Sequence, residues 1–384
     1  MTDTYEQDGQ TLIPIPPTNN LLSHGAVLLP SEPIPYSDEA GLIQAIQDYL
    51  TRYVDLSPEF VEVATAYVLL SWVYDAFPEL PYLRFRGDFG SGKTRALRVI
   101  GSICNKAFFA SAASTISPVF YTLDLFAGTL ILDEADFRYS DLQSDITKIL
   151  NNGSARGFSV LRQTQNIRKE FEPRAFNVYG PKVLATRRSF EDDALESRFI
   201  TEEMGGRAPR ADIPISLPDA QSEEAHVLRN KLLLYRFHTL GSAGPVSDYV
   251  DRARSGRFNQ VVVPLLSVMK SSEAREQIKA FSERNEAKMR SMRRLSIEGE
   301  LAAVLCRLVQ STAQDFMTVG EVASALRGSV SGEFGRPITD RYVGHLLRSS
   351  FGLFTYKRQG IYVLPASEFE KVKTQAARFG ASAT

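Results

Sequence analysis

Eight residues constrain this chain more than any other stretch: Gly87-Asp88-Phe89-Gly90-Ser91-Gly92-Lys93-Thr94. They match G-x-x-x-x-G-K-[ST], the P-loop pattern. Glycines reach backbone angles that strain other residues, so successive N–H groups can turn inward around a phosphate. A helix that follows adds its positive end. The pattern therefore predicts that residues 87–94 bind a nucleoside triphosphate, ATP, with Lys93 on its β- and γ-phosphates. The Thr94 hydroxyl would hold Mg2+.

Such a loop needs a strand before it and a helix after it. Pro81 to Arg86 alternates at period two, and Leu97, Ile100 and Ile103 fall at helical spacing. Arg84 and Arg86 are out of place in a strand that is to be buried on both faces. Further on, the apolar run Gly128 to Leu132 ends in Asp133-Glu134. This is the acidic strand end that a magnesium-dependent hydrolase needs. Asp133 would hold Mg2+ through water and Glu134 would act as general base on the attacking water.

A chain of 384 residues has room for two or three compact units. Its net charge is −1, so contact with nucleic acid has to come from local patches. Cys104 and Cys306 stand far apart in apolar helical patterns and read as buried thiols of a reducing compartment, the cytoplasm. The histidines lack metal-ligand spacing. Met1 to Gln10 is too polar for a signal peptide, and Val63 to Val73 is too short and mixed to span a membrane.

Composition and periodicity divide the chain. Residues 1–36 are proline-rich and read as a disordered lead-in. Residues 37–80 read as a helical unit, entered at Ser37-Asp38-Glu39. Residues 81–205 carry the strands and helices of an α/β core. Within them, Gly157 to Arg162 and Ala175 to Tyr179 read as a hairpin whose tip bears Arg168 and Lys169. Gly205 to Pro218 marks a boundary. Residues 206–295 are helical, with expected helices that include Ser247 to Arg254; the basic stretch from Arg284 to Arg294 reads as a solvated helix or a DNA stripe. Residues 296–368 predict three helices and a two-stranded hairpin, a winged helix-turn-helix. Its third helix, capped at Thr339, carries Arg341 and Arg348, and its wing tip carries Lys357 and Arg358. Such a unit binds DNA or another protein. Residues 369–384 are left as a tail.

With these motifs in view, the chain resembles the AAA+ ATPases, and more closely the helicase-like replication proteins of plasmids, phages and mobile islands. Those are related to mini-chromosome maintenance and superfamily 3 helicases. The likeness rests on Tyr82 to Gly87 entering the P-loop, on Leu132-Asp133-Glu134-Ala135-Asp136, on the hairpin insert and on Leu195-Glu196-Ser197-Arg198-Phe199. It implies an α/β AAA+ core with a helical lid, followed by an α+β winged-helix domain. It makes Thr186 sensor 1, where many relatives have asparagine. It makes Arg198 the arginine finger of a neighbouring subunit's site, Arg257 of the lid, or alternatively Arg254, a sensor 2 at the nucleotide, and Arg168 and Lys169 contacts to DNA in a central channel. It further implies ATP and Mg2+ as cofactors, a ring, most often a hexamer, and single-stranded or forked DNA as partner. The activity expected is that of a DNA-translocating helicase. A nucleotide-controlled DNA-binding switch, such as a helicase loader or regulator, is the alternative.

Overall fold

In the computed structural model, the described residues are 5–7, 10–12, 19–111, 115–133, 141–165, 171–190, 192–206, 210–294, 296–329 and 337–379. They form two compact units, Met1–Ser282 and Glu283–Thr384.

The first unit begins with β1 (Tyr5–Gln7) and β2 (Gln10–Leu12), an antiparallel pair. The short α1 (Asn20–Ser23) is capped by the Asn19 side chain. From here to Tyr36 the chain is fastened to the core, contrary to the expectation of a disordered lead-in. Val27 makes an antiparallel bridge with Phe108, Leu28 N–H donates to the Ala107 carbonyl at 2.8 Å, and Ser31 N–H donates to Asn230 Oδ1 at 2.9 Å. Proline stiffens a segment without preventing it from docking through the residues between.

Two helices follow, α2 (Glu39–Tyr53) and α3 (Pro58–Val73). Asp38 caps α2 by accepting from Gly41 N–H at 2.7 Å. Pro58 opens α3, where a missing N–H costs nothing. This helix is apolar on nearly every side and is buried accordingly.

The α/β layer is built from β3 (Tyr82–Arg86), α4 (Lys93–Gly101), β4 (Phe108–Ser111), α5 (Ile116–Phe126), β5 (Leu130–Asp133), α6 (Asp141–Asn152), β6 (Val160–Gln165), β7 (Phe171–Phe176), β8 (Lys182–Thr186), α7 (Asp193–Glu196) and β9 (Phe199–Glu203). Five strands form a parallel sheet in the order β4-β5-β8-β3-β9. Both faces are covered, as an all-parallel sheet requires. Leu83, Phe85, Ile131, Val183, Ala185 and Ile200 share one core with α2, α3 and α4. Tyr82, Leu130, Leu132, Leu184 and Phe199 share another with α5, α6 and the base of the β6–β7 hairpin.

The chain then forms α8 (Asp219–Thr239), α9 (Gly256–Ser267) and α10 (Ser272–Arg294), within which the division between the units falls. Helices α8 and α9 join the core already made by α2, α3 and α4. Helices α2, α3, α8 and α9 thus pack on the same face of the sheet. The expected helix from Ser247 to Arg254 shrinks to a single 3₁₀ turn, Ser247–Tyr249. Asn259 takes the Asp251 backbone through N–H and C=O contacts at 2.8 and 2.9 Å, and Ser255 caps α9, so the chain restarts there.

The second unit holds α11 (Ile297–Ser311), β10 (Phe316–Thr318), α12 (Val319–Ser329), α13 (Asp340–Ser349), β11 (Tyr356–Arg358), β12 (Ile361–Pro365) and α14 (Phe369–Arg378). Its antiparallel sheet runs β10-β12-β11. Gln359 and Gly360, both at positive φ (47° and 88°), make the two-residue turn that matches strand twist. Thr339 caps α13 through Tyr342 N–H at 3.2 Å. Part of the expected tail is helical: Val372 and Ala376 of α14 are buried with Leu301, Leu305, Val343 and Leu347. Its apolar residues recur four apart, a period too short in extent to stand out.

Among the described residues, no helix is long and apolar enough to cross a membrane. None of their His, Cys, Asp and Glu side chains cluster in threes as metal ligands would.

Candidate functional site

A parallel sheet brings the carboxyl ends of its strands to one edge. Here that edge carries Arg86 and the P-loop after β3, Asp133 at the end of β5, Thr186 at the end of β8 and Glu203 at the end of β9.

The loop has the backbone its glycines predict. Gly90 and Gly92 stand at φ +75° and +91°. Gly92 caps α4 in the left-handed conformation and makes no side-chain cap bond, so the first-turn N–H groups are left to an anion. A Cβ on Gly87 would collide with the Met204 carbonyl, and one on Gly205, at φ +90°, would come within 2.8 Å of Ser91 Cβ. The turn after β9 is thus a wall of the P-loop. A glycine pair one residue after a strand end, besides marking a boundary, is the signal for such a close approach.

Side chains meet across this edge. The Thr94 hydroxyl donates to Asp133 Oδ2 at 2.8 Å. Lys93 Nζ donates to the Gly87 and Asp88 carbonyls at 2.7 and 2.6 Å. Thr186 is 1% exposed, and its hydroxyl is a buried polar atom with no hydrogen-bond partner. Its backbone carbonyl accepts from Gly87 N–H at 3.2 Å, which sets it beside the loop. Phe89 stands at the tip, 89% exposed. A left-handed glycine cradle, an uncapped helix start, a hydroxyl–carboxylate pair and an orphaned buried hydroxyl together fit a magnesium-bound triphosphate. Glu134, Arg168 and Lys169 lie outside the described residues.

The two arginines of β3 are explained by what lies next to them. Arg84, 1% exposed, makes a bidentate pair with Glu196, with one bond at 2.7 Å, and donates to Thr201 Oγ1 at 3.0 Å. Its guanidinium also lies over the Phe199 ring at 4.8 Å. Burial alone would raise the Glu196 carboxyl; the bonds and charge of Arg84 outweigh it and hold that group below the usual carboxylate range. Arg86 pairs with Glu203 and so ties the ends of β3 and β9 together beneath the loop.

Arg198 precedes β9 and lies at the other end of the sheet. The register pairs Tyr82 with Phe199 and Arg86 with Glu203. One strand length, about 16 Å at 3.3 Å per residue, therefore separates Arg198 from its own P-loop. It is half-buried and donates to Asn151 Oδ1 and Ser154 Oγ at 3.0 Å and to the Ala194 carbonyl at 2.6 Å. Burial and the nearby Arg257 charge lower its pKa. Arg257 is also felt by Tyr82, at the start of β3. Arg257 thus lies within electrostatic reach of Arg198 and Tyr82. The reason is packing: α9 runs against the segment before β3, with Gln260 Nε2 donating to Glu79 at 2.6 Å.

The hairpin strands pair in register from Val160↔Phe176 to Gln165↔Phe171. Its base is clamped by Arg162–Asp145 and Arg174–Asp124, each at 3.0 Å. In the second unit, Arg341, Arg348, Lys357 and Arg358 are exposed; Arg348 donates to Thr355 Oγ1 at 3.0 Å and Arg358 lies over the Phe316 ring at 4.6 Å.

No protein-family model and no curated protein matches this chain. Solved structures do. The NrS-1 C-terminal region in its apo form is 14% identical over 95% of this chain and 82% of its own, at a TM-score of 0.41. The SCCmec type IV Cch active helicase is 11% identical over 86% of this chain and 68% of its own, at 0.37. The JCV helicase is 14% identical over 65% of this chain and 61% of its own, at 0.30.

Proposed function

We propose that this chain is an ATP-driven motor on DNA, a replicative helicase in type, which hydrolyses ATP between the copies of a ring. The placement of Arg198 carries this reading. Residues that bind a triphosphate gather at the carboxyl edge of the sheet, while Arg198 lies a strand length away. The site therefore gains that guanidinium only from another copy, in a head-to-tail contact that closes into a ring. Arg198 has to leave Asn151 and Ala194 to do so.

In this account Lys93 and the loop N–H groups hold the phosphates and Thr94 with Asp133 hold the metal. The Mg2+ ion supplies charge neutralisation at the β- and γ-phosphates. Thr186 orients the attacking water with its otherwise unpartnered hydroxyl. Glu134, next along the chain from Asp133, takes the proton of that water. Arg198 of the neighbour stabilises the charge that develops in the transition state. The β6–β7 hairpin offers Arg168 and Lys169 to single-stranded DNA. The second unit acts as a winged helix, with α13 and the β11–β12 turn on DNA.

The test is ATP hydrolysis with and without single-stranded DNA, together with unwinding of a forked duplex. Stimulation and unwinding are expected. Hydrolysis that ignores DNA, with no unwinding, would leave a nucleotide-controlled binding switch instead.

A further inference from the structure

The exposed face of the second unit combines charge with aromatic surface. Residues 340–365 hold four bases, Arg341, Arg348, Lys357 and Arg358, against one acid, Asp340, in a chain whose net charge is −1. On α13, Arg341, His345 and Arg348 follow at i, i+4 and i+7 and are all exposed, so they share one side of the helix. Arg348 links that side to the hairpin: its guanidinium lies over the Tyr362 ring at 5.9 Å from the centroid. Lys357 is the cross-strand partner of Tyr362 and projects to the same face of the sheet. The Tyr362 ring, 52% exposed, is thus set beside two cations, Arg348 and Lys357.

Groove reading of an intact duplex uses hydrogen bonds to base edges and phosphates, which need no exposed ring. A ring flanked by cations is what a single-stranded base requires, since the base stacks while the cations hold its phosphates. We propose that this face binds DNA where duplex gives way to single strand, with the first unpaired base stacked on Tyr362. The proposal rests on the DNA-binding reading of the second unit and goes beyond it, naming the junction as the substrate and Tyr362 as the residue that selects it.

The experiment uses the full chain and two probes at fixed, low salt: a blunt duplex, and the same duplex with a single-stranded arm carrying 2-aminopurine at its first unpaired position. Wild type is expected to quench the 2-aminopurine and to bind the armed probe more tightly than the blunt one. Tyr362→Ala is expected to lose the quench and about tenfold in affinity for the armed probe, with less than a twofold change on the blunt duplex. Tyr362→Phe keeps the ring and should keep both, which separates stacking from misfolding. Equal losses on the two probes, or a quench that survives Tyr362→Ala, overturn the proposal while the DNA reading stands. If Arg341→Ala with Arg348→Ala leaves binding to both probes unchanged, or if only an acidic peptide competes at this face, the DNA reading of the unit falls with it.

Discussion

Thr94 and Asp133, 39 positions apart, meet at the carboxyl edge of the sheet, where the threonine hydroxyl donates to a carboxylate oxygen at 2.8 Å. The bond brings a helix start and a strand end into the relation that a shared metal ion needs. Asp133→Asn keeps the size of the side chain and a hydrogen-bond acceptor but removes its charge. It should lower ATP hydrolysis about 100-fold or more, while a fluorescent ATP analogue still binds in the absence of Mg2+. Retention of Mg2+-dependent turnover would separate this pair from the chemistry.

The buried hydroxyl of Thr186 offers a second, independent check. It has no hydrogen-bond partner, so Thr186→Val replaces it with a methyl group at little structural cost. Urea denaturation should show stability unchanged or raised by about 1 kcal/mol. ATP hydrolysis should fall about 100-fold with nucleotide affinity kept. A purely structural threonine would leave hydrolysis unchanged.

Arg84 and Glu196 form a buried ion pair on β3 and α7. Breaking such a pair leaves a buried charge uncompensated, so Glu196→Ala should destabilise by about 3–5 kcal/mol. The double change Arg84→Met with Glu196→Leu should cost less than either single change. The folded-state pKa of Glu196 is depressed, so its contribution is present above the ordinary carboxylate pKa and is lost as pH falls through the folded value. Equilibrium unfolding of the single and double variants checks both statements.

Lys182 at the start of β8 is fully buried, and its Nζ donates to the carbonyls of Val178, Gly180 and Gly153 at 2.8, 2.9 and 3.2 Å. Burial lowers its pKa to about 7. Between pH 7 and 10 the unfolded chain then binds more protons at this site than the folded one, so stability rises with pH there. The difference in unfolding free energy between wild type and Lys182→Met should grow by as much as about 1.4 kcal/mol per pH unit from pH 7 to 9. Parallel pH curves for the two would show that Lys182 keeps an ordinary pKa.

What could be read in advance was local. The P-loop, the strand ending at Asp133 and the Thr186 strand announce themselves because their glycines, acids and apolar runs are contiguous. What could not be read was pairing at a distance. Arg84 and Arg86 look wrong in a buried strand until Glu196 and Glu203, more than a hundred positions on, are seen to meet them. That α9 packs against the segment before β3, with Gln260 on Glu79 and Arg257 within electrostatic reach of Arg198, is likewise invisible in the sequence. Residues 28–34 show no periodicity because they attach largely through backbone groups and the Ser31 hydroxyl, and backbone bonds leave no mark on side-chain choice.

The central claim, that Arg198 acts on a nucleotide held by another copy, is tested most directly by mixing two variants. Lys93→Ala lacks the phosphate contact and Arg198→Ala lacks the finger; each alone should hydrolyse ATP at a small fraction of the wild-type rate. In an equal mixture, about a quarter of randomly formed interfaces pair an intact Lys93 with an intact Arg198, and about a quarter of the wild-type rate should return. A mixture no more active than its parts, or an Arg198→Ala protein with full activity by itself, would contradict the account.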